Sequence, residues 1–417
     1  GLVVPGPRAG MQLPPLGISG NLSAHVIDEG LGVAFSPAEG DSVLRMDNLQ
    51  VKDAHGHPLS AYLELEYVVG EQDRLHIMLD ESTFHYPLTV TARVSGLSSS
   101  SDWTAESDQA DARFGVSVGS AGDVNGDGYS DVIIGAHKYD NGQTDEGRAF
   151  VYYGSASGLS STANWTAESD QSDARFGYSV GLAGDVNGDG YSDVIVGAYY
   201  FDVDQYNEGK IFLYYGSESG LSSVPDWTDV GEQDSEQFGV SVSTAGDINA
   251  DGYDDLLIGS RYYENGQSSE GGAFLYYGSG NGPDSSPAWS AEGNQNGSGF
   301  GVSVSTAGDV NGDGYSDVVV GAPYYNHGSS YEGRAYVYHG SSTGLSFSPD
   351  WIEESNQSYA LYGNSVGTAG DVNGDGYSDV IIGIPYYDNG ETDEGRAYVY
   401  HGSSGGLSHS PGWYAEI

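Results

Sequence analysis

The chain has no cysteine among its 417 residues, which excludes disulfides, thiolate zinc sites, iron–sulfur clusters and thiol catalysis together. Positive charge is scarce as well. Only 13 Lys and Arg stand against 60 Asp and Glu, and a formal net charge of −47 repels a nucleic-acid backbone and an anionic membrane surface alike. No apolar run reaches the roughly 20 residues that cross a bilayer, so no membrane span is expected. The sequence opens at Gly1 with neither an initiator Met nor a signal peptide, as a processed mature chain or a fragment does. Such an excess of acid strains a compact fold by self-repulsion unless cations neutralise part of it. The placement of the acidic residues is therefore the first thing to read.

What the chain has in abundance is repetition. Phe114, Phe176, Phe238, Phe300 and Tyr362 each precede a Gly and lie 62 residues apart, and Trp103, Trp165, Trp227, Trp289, Trp351 and Trp413 keep the same interval. A fixed period of this size signals a repeat architecture. Each unit reads as four short strands separated by Gly, Asn, Asp and Ser clusters. In the first these are the alternating FGVSV from Phe114, the continuous apolar DVIIGA from Asp131, the aromatic GRAFVYYG from Gly147 and a strand near Trp165. The continuous run predicts a strand covered on both faces, which radially packed four-stranded sheets provide. No segment of the repeats carries helical spacing, and a β-solenoid would show a period of roughly 20 to 30 residues. The expected fold class is all-β, a β-propeller of four-stranded blades preceded by a small β-sandwich-like domain.

The boundary is expected near residue 96. Residues 1–96 lack the period, open on a Pro- and Gly-rich stretch, and show strand-like runs at Leu22 to Ile27, Leu31 to Phe35, Tyr62 to Val69, Leu75 to Leu79 and Leu88 to Val94. The propeller then occupies 97–417, with repeats near 103–164, 165–226, 227–288, 289–350 and 351–412 and a terminal strand at 413–417.

Between the first two strands of every unit lies an acidic nonapeptide, DVNGDGYSD in four copies and DINADGYDD in the third. Oxygen ligands fall at positions one, three, five and nine, with a backbone carbonyl at seven. They are Asp123, Asn125, Asp127, Tyr129 and Asp131 in the first copy, and Asp185, Asn187, Asp189, Tyr191 and Asp193 in the second. The third supplies Asp247, Asn249, Asp251, Tyr253 and Asp255, the fourth Asp309, Asn311, Asp313, Tyr315 and Asp317, and the fifth Asp371, Asn373, Asp375, Tyr377 and Asp379. This is the spacing by which a calcium loop wraps a hard cation. Three carboxylates in nine residues repel one another by roughly 1–4 kcal/mol per close pair at surface-like dielectric, a penalty that a divalent ion removes. A flexible all-oxygen loop favours Ca²⁺ over Mg²⁺, and zinc is disfavoured without Cys or local His. Asp, Asn and Gly also populate ordinary tight hairpins, but five copies in register speak for about five Ca²⁺ sites of mainly structural role.

The run FGVSVGSAGDVNGDGYSDVIIGA at Phe114 resembles the FG-GAP repeat of integrin α-subunits and their bacterial secreted relatives. It joins Phe-Gly, the calcium loop, the apolar strand and a Gly-Ala-Pro-like ending in one order, literal at Gly321-Ala322-Pro323. The fifth unit has Tyr362 for Phe and the third has Ala250 for Gly. The resemblance implies a propeller that presents loops to a protein or glycan partner, with calcium in the loops of one rim, in an extracellular or cell-surface setting. Four Asn-x-Ser/Thr sequons, at Asn21, Asn164, Asn296 and Asn356, point weakly the same way.

Six Trp segments for five cores leave one outer strand, near Trp103 or Trp413, surplus in a closed five-blade ring. Such a strand could add to a neighbouring copy, or the chain could be cut from a longer array. The recurring Trp are expected to pack between blades rather than to stack sugars. Glu146, Glu208, Glu270, Glu332 and Glu394, each before a Gly, are expected to stabilise hairpins, with a second cation site as the alternative. No catalytic motif occurs in a credible context. The expectation is thus a non-enzymatic, calcium-rigidified adhesion or assembly protein. A subunit of an extracellular filament and a polysaccharide-binding or polysaccharide-active protein are the alternatives.

Overall fold

The structure, a computed structural model, describes Ser101 and residues 103–416 in full and, within residues 1–100, the backbone of nine strands. The chain divides into two compact units, Gly1–Thr104 and Ala105–Ile417.

The first unit holds two antiparallel sheets. One orders Leu2–Val4, Leu88–Ser95, Leu44–Lys52, Gly32–Pro37 and Leu22–Ile27 side by side, with Pro58–Leu59 paired to Leu44–Lys52. The other orders Leu16–Gly17, Arg74–Leu79 and Ala61–Glu66. The five strand-like runs of the sequence each overlap a strand, with Leu31 and residues 67–69 lying outside the described residues. The nine-residue strand Leu44–Lys52 was not foreseen, because LRMDNLQVK spreads its apolar residues without alternation.

The second unit is a five-bladed β-propeller. In the first blade Phe114–Gly122, Asp131–Ala136, Arg148–Tyr152 and Trp165–Glu168 pair in chain order, all antiparallel, and the other four blades repeat the pattern. The second strand is the covered one. Asp193–Ala198, Asp255–Ser260 and Asp317–Ala322 are buried at every residue, which is why their sequence is apolar without alternation. A blade therefore runs from a Phe-Gly strand to the following Trp strand. Trp413–Glu416 is hydrogen-bonded to Arg396–Tyr400 as the fourth strand of the fifth blade. It is not the surplus strand expected for donation to another chain.

The glycines that name the repeat meet at the seams between blades. A Cβ on Gly135 would stand 1.9 Å from the Gly177 carbonyl oxygen of the next blade, so only hydrogen fits there. The same approach recurs at Gly197, Gly259 and Gly321. The buried ring of Phe176 lies beside this seam, with its N–H donating to the Glu146 carbonyl at 2.9 Å. In the fifth blade Tyr362 takes the same place, and its added hydroxyl is satisfied by donating to Tyr400 Oη at 2.8 Å.

Tryptophan closes the outer part of each seam. Trp165, Trp289 and Trp351 each set an indole edge-on to a tyrosine of the next blade, Tyr214, Tyr338 and Tyr400. Their Nε1–H groups donate to the carbonyls of Ser222, Ser346 and Ser408. The recurrence of Trp is thus a packing device, as its strict register predicts.

Successive inner strands pack closely against each other from the first blade to the fifth, and no packing of that extent joins the first and fifth blades to one another. The two end faces are correspondingly open. Val118 is 64% exposed where its counterpart Val242 is 8%, and Trp413 is 51% exposed where Trp351 is 3%.

Candidate metal sites

All five nonapeptides fold alike, as the hairpin between the first and second strands of a blade. In the first, Asp123 Oδ1 accepts the Asp127 N–H at 3.0 Å and Oδ2 accepts that of Gly128 at 2.8 Å. Asn125 Oδ1 also accepts the Asp127 N–H, and Asp127 Oδ1 accepts that of Tyr129. Asn125 Nδ2 donates to Asp127 Oδ2 at 3.2 Å. Positions one, three and five are thus gathered in one turn of chain at the rim. In the fifth loop, donation from the Gly376 N–H is the chief cause that holds the Asp371 carboxyl below its usual value.

Position nine is different. Asp131, Asp193, Asp255, Asp317 and Asp379 open the second strands and are fully buried. Asp131 Oδ2 accepts the N–H of Val124, inside the loop, and Oδ1 that of Gly154, beyond the third strand. The same pair of bonds occurs in every blade. Each carboxylate oxygen has two lone-pair directions, so these bonds leave one on each oxygen for a cation. Burial pushes the Asp193, Asp255 and Asp317 carboxyls up to about 7. The backbone N–H donors oppose that rise, and the charges at positions five and one add to it. A group so placed holds a proton or a metal in preference to a bare charge.

Sequence reading missed how the loops interlock. Position eight of one loop reaches the previous loop: Ser192 Oγ accepts the Asp123 N–H at 3.1 Å, and Asp254 Oδ2 accepts the Asp185 N–H at 2.8 Å. The backbone N–H groups of Ser192, Asp254, Ser316 and Ser378 donate in turn to the carbonyls of Asp123, Asp185, Asp247 and Asp309. The only hint in the sequence was the small polar or acidic residue at position eight in every copy.

The opposite rim, formed by the connections from second to third strand and from blade to blade, carries the recurring glutamates. Their hairpin role is plain: Glu270 Oε1 accepts the N–H groups of Asn265 and Gln267, and Glu208 Oε1 those of Val203 and Asp204. Among the described residues, three ligand atoms come within 4.8 Å of one another at Glu146, Glu168 and Asp170 and at His327, Glu332 and Glu354. On the same rim a pocket of about 470 Å³ is lined by Arg261, Tyr324, Tyr331, Tyr359, Tyr386 and Asp393. Arg261 lies over the Tyr324 ring and donates to its hydroxyl at 3.0 Å. Tyr331 stands edge-on to both Tyr324 and Tyr359.

The FG-GAP repeat model matches residues 114–152, 176–214, 238–271, 300–338 and 362–400, one match per blade. The chain is similar to integrin alpha-5 of Xenopus laevis, 31% identical over 271 residues that make up 63% of this chain and 24% of that protein. It is also similar to integrin alpha pat-2 of Caenorhabditis elegans, 33% identical over 48% of this chain and 17% of that one. Human integrin alpha-6 is 35% identical over 33% of this chain and 12% of its own. The chain thus spans a quarter or less of these relatives. Among solved structures, that of the exotype rhamnogalacturonan lyase YesX aligns with 95% of this chain and 82% of its own, at a TM-score of 0.35 and 12% identity. A likeness at that score carries no argument.

Proposed function

We propose, from the premise that this chain is a five-bladed β-propeller of FG-GAP repeats, that it is an extracellular adhesion module with the work divided between its two rims. One rim holds Ca²⁺ in the nonapeptides. The other offers the tyrosine-lined pocket to a protein or glycan partner.

The observation that carries this reading is the separation itself. The loops with the donor set of a calcium cradle all join first to second strands, whereas the aromatic pocket is built wholly from the opposite connections. Positions one, three, five and nine with the carbonyl of position seven would hold each ion. The ion supplies the positive charge that lets three carboxylates share one hairpin, and it ties the rim to the buried start of the second strand. Oxygen-only donors fit Ca²⁺, and the kinship with integrin α-chains supports both the cation and the adhesive role.

The pocket fits a binding role. Tyrosines give large contact area with little loss of side-chain freedom, and their hydroxyls with Arg261 and Asp393 can select polar groups of a peptide or sugar. The test is attachment of cells to surfaces coated with the purified chain, in Ca²⁺ and in chelator, for wild type and Tyr331→Ala/Tyr359→Ala. Attachment that needs Ca²⁺ and falls at least tenfold in the variant supports the reading. Equal attachment by both proteins overturns the assignment of the pocket.

A further inference from the structure

We propose that the first blade carries an additional hard-cation site, formed by Glu146, Glu168 and Asp170 on the rim opposite the nonapeptides. One carboxylate oxygen from each of the three lies within 4.8 Å of the others. Glu146 is wholly buried, and its Oε2 atom accepts no hydrogen bond. Its Oε1 atom is already engaged by the N–H groups of Asn141 and Gln143. Glu168 Oε2 is likewise buried with no hydrogen-bond donor, while its Oε1 accepts from Asn141 Nδ2 at 2.7 Å. A carboxylate oxygen shut away from water with nothing to accept is costly, and two of them beside a third carboxylate call for a positive charge.

The other blades provide internal controls, because each departs from the first in the residues around the same glutamate. In the second, Val230 replaces Glu168. The third has Asn294 for Asp170, and its backbone N–H donates to Glu270 Oε2 at 3.0 Å. In the fourth, Asn356 replaces Asp170, while Arg334 Nε and the His327 ring both engage Glu354. In the fifth, Glu394 also keeps a buried Oε1 without a donor, but Arg396 and Asn389 engage Glu416 and so neutralise its neighbour. Only the first blade combines all three acids with buried oxygens left over.

Arg148 is the nearby cation, and it pairs loosely with one of the three acids only, its Nε being 3.7 Å from Glu168 Oε2. Its Nη2 donates to Thr166 Oγ1 at 2.9 Å, and its guanidinium lies over Tyr139 and Phe150. Three carboxylates against one guanidinium leave the site anionic. With oxygen donors only and Asp170 open to solvent, the ligand is a divalent hard ion that keeps part of its water shell, of the Ca²⁺ class. The charges of Glu168 and Asp170 add to burial in raising the Glu146 carboxyl above its usual value, which agrees with this demand.

The inference does not depend on the nonapeptides, and its test counts ions separately. Chelator-stripped full-length wild type, Asp170→Asn and Glu168→Val are titrated with CaCl₂ by calorimetry, with MgCl₂ as a competing arm. Both substitutions install residues that blades two, three and four already carry here, so the fold tolerates them. The expected result is that stoichiometry falls by about one Ca²⁺ per chain in either variant. Crystals soaked in MnCl₂ should show an anomalous peak beside Glu146 that the Asp170→Asn crystals lack. Unchanged stoichiometry in both variants, or no peak at Glu146 in the wild type, overturns the site. Loss of the nonapeptide ions alone, by Asp189→Asn for example, leaves this peak in place.

Discussion

Tyr191 occupies the place where a side chain on Gly126 would begin: a Cβ there would meet Tyr191 Cε1 at 2.5 Å. The seventh residue of one acidic loop thus seats on the fourth residue of the loop before it. The same seating joins Gly188 to Tyr253 and Gly312 to Tyr377, while Gly374, in the last loop, has nothing within 4 Å.

Substitution at these glycines separates docking from backbone strain. Gly126 and Gly374 share a positive φ, 71° and 75°, so alanine strains both by about 1 kcal/mol. Gly126→Ala should cost roughly 1 kcal/mol more than Gly374→Ala in urea unfolding, because only it displaces a tyrosine. The third copy holds Ala250 at φ 57° already, and Ala250→Gly should stabilise by about 0.5 kcal/mol.

Calcium removal should lower the melting temperature of the propeller, followed by calorimetry with and without chelator. If each nonapeptide binds at about 10⁻⁴ M, a twentyfold excess of ion contributes about 1.8 kcal/mol per site. Replacing Asp127 by Asn should remove one site's share.

The buried position-nine carboxyls set a pH dependence with a definite sign. Asp193, Asp255 and Asp317 rise from 3.8 to about 7 on folding, so between those values the native state binds more protons than the unfolded chain. In chelator their contribution is full below pH 3.8 and is lost as pH rises to about 7, so the melting temperature should fall across that window. Calcium binds the deprotonated form, so its stabilising effect should grow over the same range. A chelator-treated protein whose stability rises from pH 5 to 7 would contradict this assignment.

Equivalent tryptophans should differ in worth. Trp351→Ala removes a buried indole and its bond to Ser408, at a cost of about 3–5 kcal/mol in denaturant unfolding. Trp413→Ala should cost about 1 kcal/mol or less, since half of that side chain already faces solvent.

The repeating part of this fold was legible because periodicity exposes every constraint several times. The Phe-Gly strand, the continuous apolar second strand and the acidic hairpin each sit where residues 114–168 predict them. Features that depend on one blade meeting another were not legible. The seating of Tyr191 on Gly126, and the use of Trp413 by its own blade, need the register between units, which spacing alone does not give. The Glu146 cluster was half visible. The glutamate repeats, but Glu168 and Asp170 matter only because the turn of strand four brings them beneath it, and because their counterparts Val230, Asn294 and Asn356 differ.

Every blade draws all four of its strands from one uninterrupted stretch of chain, with none lent across the ends. Pairing within a blade is therefore local in sequence, and local contacts form quickly. Such a chain can assemble in the order in which it leaves the ribosome. Each finished sheet offers the next a ready-made wall of glycine backbone and indole to condense on, so growth is directional and an arrest midway leaves the newest face uncovered in addition to that of the first blade.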